Sequence, residues 1–211
     1  MPATPREELL QRMYEQMFND INRHIMVVWQ SIGVLVGAFA IFALTEKQII
    51  SVDIASSLVI LIAGWSLAHL YDAGYWYNRN LAIIANIERQ FLTKQDLHNI
   101  HYYFGAHRPQ NRMIVHLRIQ FMLGVGVGSV VLAFHFLTRV VPGFGAPWSA
   151  IDLQRTLPYL VTAGMIWYLI CLRGQRNRSY TEFLKNSPGI SVDTEGISYG
   201  EGHGFDKSKD V

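Results

Sequence analysis

The residues best equipped for chemistry are histidines. His98 and His101 stand three apart, with His107 and His116 further along. A zinc site needs three or four converging ligands, commonly with cysteine among them. This stretch has no cysteine and no His-Glu-x-x-His pattern, so solvated polar histidines are the better reading, and no metal or other cofactor is expected. Arg112 and His116, four apart, would share one helical face and suggest ribonuclease-like acid–base chemistry, but no second element accompanies them. The sequence also lacks a phosphate-binding loop, a nucleophile elbow and paired carboxylates inside an apolar run. The single cysteine, Cys171, excludes an intramolecular disulfide and reads as a small apolar residue. A non-enzymatic protein is therefore the expectation.

The elements that hold these residues are apolar. The chain has 211 residues; half are hydrophobic and 16% are charged, against about 25% charged in average globular usage. The deficit lies in four stretches without Asp, Glu, Lys or Arg: Met26 to Leu44, Ile54 to Leu70, Ile119 to Leu137 and Leu157 to Leu172. Each is apolar around its whole circumference, whereas a soluble core helix keeps a charged face. About 20 such residues cross a bilayer. The reading is an all-α integral membrane bundle of four transmembrane helices, with an N-terminal amphipathic helix and a cytoplasmic helical hairpin. The start, Met-Pro-Ala-Thr-Pro-Arg-Glu-Glu, lacks the basic and then apolar pattern of a cleavable signal peptide.

Lysine and arginine set the orientation. Of 18 in the chain, only Lys47, Arg139 and Arg155 fall in the first and third loops. The rest lie in the N-terminal segment, the middle loop and the tail, which the positive-inside rule places in the cytoplasm. The expected layout is a cytoplasmic amphipathic helix over 1–24, spans over 25–72, a cytoplasmic helical loop over 73–117, spans over 118–174 and a cytoplasmic tail over 175–211. That tail is rich in Gly, Ser and Asp from Ser187 onward and reads as flexible. His203 within it reads as solvated. A net charge of +2 gives no ground for direct nucleic-acid binding.

In the cytoplasmic parts, Thr4 and Glu7 have capping-box spacing with Pro5 at the first helical position. Leu9, Met13, Met17 and Ile21 repeat every fourth residue as one apolar stripe. After the second span, Tyr77, Leu81, Ile84, Ile87 and Phe91 form another stripe, with Arg79, Asn86 and Gln90 on a different face. Thr93 and Asp96 mark the cap of a short further helix, ended by Gly105 and Pro109. These apolar stripes need cover from the N-terminal helix or from another subunit.

Within the spans, the only titratable side chains counted as interior are His69, near the inner face, and His135, near the outer. An ion-coupled transporter generally needs more. Gln30, Ser66, Ser129 and Thr162 either bond helices together or line a narrow pore. Gly33 and Gly37 form a GxxxG in the first span, and Gly124 and Gly128 form one in the third. Missing side chains let backbones approach closely, within one chain or between chains.

The run from Tyr75 to Leu81 and on through Ile87-Glu88-Arg89-Gln90-Phe91-Leu92 resembles the juxtamembrane helix of small bacterial membrane proteins encoded with antiviral systems, the SLATT-type and retron-associated transmembrane effectors. Those families commonly have two spans, and this chain has four apolar segments. The resemblance implies an inner-membrane, homo-oligomeric effector. A cytoplasmic protein or ribonucleoprotein partner would hold it silent, and its release would permeabilise the membrane. It points to Arg79, Asn80, Glu88 and Arg89 as residues that contact the partner or receive the signal. The competing class is a non-enzymatic membrane scaffold that anchors a cytoplasmic complex.

Overall fold

The computed structural model describes residues 4–93, 96, 110–145, 147 and 152–186; within α3 the side chain of Arg89 is not described. Among the described residues five helices carry the fold: α1 (Pro5–Ala38), α2 (Ala40–Glu46), α3 (Val52–Phe91), α4 (Val115–His135) and α5 (Leu157–Lys185). A π turn, Phe136–Val140, and a 3-10 turn, Val141–Gly143, follow α4, and a 3-10 turn, Leu153–Thr156, precedes α5. No strand occurs among the described residues. Among the described residues four helical stretches, beginning at Pro5, Val52, Val115 and Leu153, are long and apolar enough to cross a membrane. At ~1.5 Å per residue, α4 alone spans about 31 Å, the thickness of a bilayer's hydrocarbon.

Local chemistry fixes the helix ends. The Thr4 backbone N–H and hydroxyl both donate to the Glu7 carboxylate, at 2.6 and 2.9 Å, and the Glu7 N–H donates back to Thr4 Oγ1. This is the reciprocal cap read from the sequence. The amphipathic N-terminal segment and the first span are not separate helices: α1 runs unbroken from Pro5 to Ala38. Nothing between Asn22 and Met26 is a helix breaker, so the helix has no reason to stop there. Phe39 interrupts it with 3-10-type bonding before α2.

The α2 terminus is a Schellman turn. Ile49 N–H donates to the Leu44 carbonyl and Gln48 N–H to the Thr45 carbonyl, with Gln48 at a positive φ of 57°. Ser51 then caps α3, its Oγ accepting from the Ile54 N–H at 3.2 Å.

Contacts divide the chain into two compact units, one of residues 1–25, 74–112 and 176–211, the other of 26–73 and 113–175. In the second, α3 is the central element. Its Val59 and Ile60 pack with Ala38 and Val131. Its Leu67, Leu70 and Ala73 pack with Val28 and Leu117. The outward faces of α4 and α5 are apolar, with Ile119, Val130, Leu160, Trp167 and Ile170 all more than half exposed. In water this surface would be costly; hydrocarbon accommodates it.

In the first unit, Ile21 packs against Leu81 and Ile84, flanked by Tyr14, Met17, Phe18 and Tyr77. The N-terminal helix therefore covers the Tyr77, Leu81 and Ile84 part of the α3 stripe, one of the two covers the sequence allows, while Phe91 is 43% exposed. The α1 stripe itself is only half right. Met17 and Ile21 pack inward, while Leu9 and Met13 are 59% and 40% exposed. A step of four overshoots a 3.6-residue turn by about 40°, so a long i, i+4 run winds off any one face. Ala82, Tyr180 and Leu184 form a second cluster with Tyr75 and Phe183.

Candidate functional site

Three of the residues singled out on α3, Arg79, Asn80 and Glu88, have described surroundings. Arg79 lies 5.0 Å from the Trp76 ring and 5.5 Å from that of Phe183, a cation between two aromatic faces. Trp76 in turn stacks on His24. Asn78, not singled out, is a hub. Its Nδ2 donates to Asn111 Oδ1 and to the Arg112 carbonyl, both at 2.9 Å, and Asn111 donates on to Asn177. Asn80 is fully enclosed, and neither its amide nitrogen nor its amide oxygen has a hydrogen-bond partner. That makes it a costly internal residue rather than a surface contact. Glu88 is 9% exposed and accepts from the Tyr14 hydroxyl at 3.2 Å. Burial, and then the Glu88 charge, push the Tyr14 phenol up to about 12.

The glycines separate into two groups. A Cβ on Gly124 would meet Leu67 Cδ2 at 2.8 Å, so Gly124 serves packing within the chain. Gly33, Gly37 and Gly128 have nothing within 4 Å of the Cβ position. Gly64, not singled out, sits closely under Met165. Gln30 and Ser129 are exposed, Ser66 is enclosed, and the Thr162 hydroxyl bonds back to the Pro158 carbonyl.

One further expectation changes. Arg112 and His116 do not share a helical face: Arg112 lies in the non-helical stretch before α4, its Nε donating to Gln110, and His116 pairs with Gln120 at 3.0 Å. Cys171 is exposed. His98, His101, His107, Gly105, Pro109, the Ser187–Val211 tail and the Arg89 side chain lie outside the described residues. Of the helix expected after Thr93, only the cap is described: the Thr93 N–H and hydroxyl donate to Asp96, at 2.8 and 2.7 Å, and hold its carboxyl below the usual range. Among the described residues no group of three His, Cys, Asp or Glu side chains is placed to hold a metal.

The strongest polar site lies elsewhere. The Asp53 carboxylate, fully enclosed at the start of α3, receives Arg139 at two points, Nε to Oδ1 at 3.0 Å and Nη2 to Oδ2 at 2.9 Å. His135, also fully enclosed, places Nε2 2.9 Å from Asp53 Oδ1 and Nδ1 3.1 Å from the Tyr159 hydroxyl. A ring protonated on Nε2 satisfies both contacts, donating to Asp53 and accepting from Tyr159. Arg139 also faces Asp152 at 3.7 Å, and Arg155 approaches Asp152 at 3.4 Å.

By sequence, Asp53 and Arg139 count as flanking residues outside the spans. In the structure both belong to continuous helical stretches, Arg139 through the π turn. Such wide turns often mark functional positions. The available signal was His135 and Arg139 one turn apart at the end of the third apolar segment, on the same side of the alternating topology as Asp53.

In comparisons with protein families, with curated proteins and with solved structures, nothing matches the chain. The four apolar helices suggest a membrane protein; its role has to be argued from the residues alone.

Proposed function

We propose that the chain is a bacterial inner-membrane effector of antiviral defence, which assembles through its spans and permeabilises the membrane when a cytoplasmic partner releases it. The observation that carries this reading is the open glycine face of α1: Gly33 and Gly37 are exposed on an apolar helix, and no described residue lies within 4 Å of the Cβ position of either. Such a face is suited to close approach of a second copy, a homo-oligomer in lipid. The resemblance of the Tyr75–Leu92 region to known effectors supplies the biological setting. The unit formed by 1–25, 74–112 and 176–211 gathers the arginine-rich segments that the positive-inside rule assigns to the cytoplasm, together with both termini.

A second reading, a non-enzymatic scaffold, is favoured by Leu9 and Met13, which stand exposed on the part of α1 assigned to the cytoplasm. Exposed apolar residues there suit a helical partner.

Inducible expression with a membrane-potential dye tests the proposal. Loss of potential and of growth on triggering is expected, and Gly33→Ile with Gly37→Ile should abolish both while the protein still reaches the membrane. Intact potential at every expression level, with a stoichiometric partner co-purifying, would instead establish the scaffold.

A further inference from the structure

The second unit holds a groove of about 220 Å³, with α3 as its floor and α4 and α5 as its walls. Ser129 and Thr162, two of the four polar span residues read as either glue or pore lining, both line it. Toward the cytoplasmic end its lining is apolar, from Leu67, Val125 and Leu169. At the other end each helix carries the lining into the Asp53 cluster. Asp53 stands two turns from Ile60 on α3, His135 one turn from Leu132 on α4, and Tyr159 one turn from Thr162 on α5, on the same face each time. Ser56 lies on the α3 face between Asp53 and Ile60. It is fully enclosed, and its Oγ has no hydrogen-bond partner among the described residues. Such an orphaned hydroxyl is costly unless water reaches it.

We propose that this groove is a proton path and that His135, with Tyr159, loads it. A proton is then the charge that the released effector passes, so the path rests on the effector reading. The ring takes up a proton on Nδ1 as the Tyr159 O–H bond breaks, and the half-buried Tyr159 hydroxyl regains one from water at the end of the spans assigned to the outer side. The Asp53 carboxylate on Nε2 balances the imidazolium that forms. The other charges at the cluster, Arg139, Arg155 and Asp152, leave it neutral with Asp53 while the ring is uncharged. The reverse exchange hands the proton through Tyr159 to water in the groove, which Ser56, Ser129 and Thr162 supply with hydroxyl partners. The apolar stretch at Leu67, Val125 and Leu169 shuts the path by excluding water, and release wets it. A hydrated metal ion finds no counter-charge along the described lining of the groove and stays excluded.

The test uses the purified full chain, free of the partner that holds it silent, in vesicles of phosphatidylethanolamine and phosphatidylglycerol that contain the pH dye pyranine. A potassium electrode follows potassium release in parallel. Proton flux above that of protein-free vesicles is expected, with potassium release no faster than theirs. His135→Gln keeps a donor and an acceptor between Asp53 and Tyr159 but takes up no proton, and should return proton flux to the protein-free level. Gly128→Phe puts a ring into the groove from α4, where nothing lies within 4 Å of the Cβ position. It should have the same effect with helix content retained, and it provides the test if His135→Gln does not fold. Undiminished proton flux in either folded variant, or potassium leaving as fast as protons, overturns the path and leaves the effector reading standing. Vesicles tight to both ions overturn the path, and the effector reading falls with it only if expressing cells also keep their membrane potential.

Discussion

Asp53 and His135, 82 positions apart, meet at 2.9 Å with both side chains wholly enclosed. A buried carboxylate is tolerable only with its charge and lone pairs matched. Here the match is a two-point arginine and an imidazole. Removing the carboxylate by Asp53→Ala strands an enclosed imidazole and a guanidinium that is one-third exposed. The exposed share lets water recover part of the loss, so the cost should lie near the low end for a broken buried pair, about 3 kcal/mol. Arg139→Lys keeps the charge but loses the fork, and should cost about 1 kcal/mol. Reversible unfolding in mixed micelles measures both; equal stability of Asp53→Ala and the parent would mean that the cluster does not hold the helix ends.

The glycines should respond unequally. Gly124→Val places a side chain against Leu67 and should destabilise the fold by about 1–3 kcal/mol. Gly33→Val meets open space and should leave the unfolding midpoint of the isolated chain unchanged, while shifting its association in micelles. Equal midpoints for both variants would contradict the packing described for Gly124.

Gln48 holds a left-handed conformation that glycine adopts without steric cost. Gln48→Gly should therefore stabilise the α2 terminus by about 1 kcal/mol. A fall in stability would show that the Gln48 side chain contributes more than its backbone strain removes.

Tyr14 provides a pH signature. Its phenol, raised from an ordinary value near 10 to about 12, loses its proton less readily in the fold than in the unfolded chain. The stability linked to it is complete below pH 10 and declines as pH rises through 12. Ultraviolet titration of the ten tyrosines should reveal a late-ionising phenol that Tyr14→Phe removes. Helix pairing in that unit should weaken over the same interval, and unchanged late absorbance in Tyr14→Phe would assign the signal elsewhere.

The apolar helices were plain in the sequence because uncharged runs of hydrocarbon length are stable in few surroundings besides a bilayer. The Thr4–Glu7 and Thr93–Asp96 caps were equally plain, since they depend on neighbours three apart. What stayed hidden depended on contacts distant in the chain. Asp53 looked like a loop residue because its partners lie more than 80 positions away. Asn80 looked like a surface polar residue, yet it is enclosed, because helix periodicity fixes a face but not what covers it. The join of the amphipathic segment to the first span was hidden because composition changes there, although no residue interrupts the helix.

The wide turn at Phe136–Val140 also constrains how this protein can change over time. Each turn of a π-helix holds more residues than an α-turn, so losing one residue there could restore ordinary α-helical bonding without breaking the backbone. The same loss would swing everything beyond it by about 100° and carry Arg139 away from Asp53. Insertions and deletions should therefore be rare in this short stretch among descendants of the gene, even though its Phe136, Leu137 and Thr138 side chains are exposed.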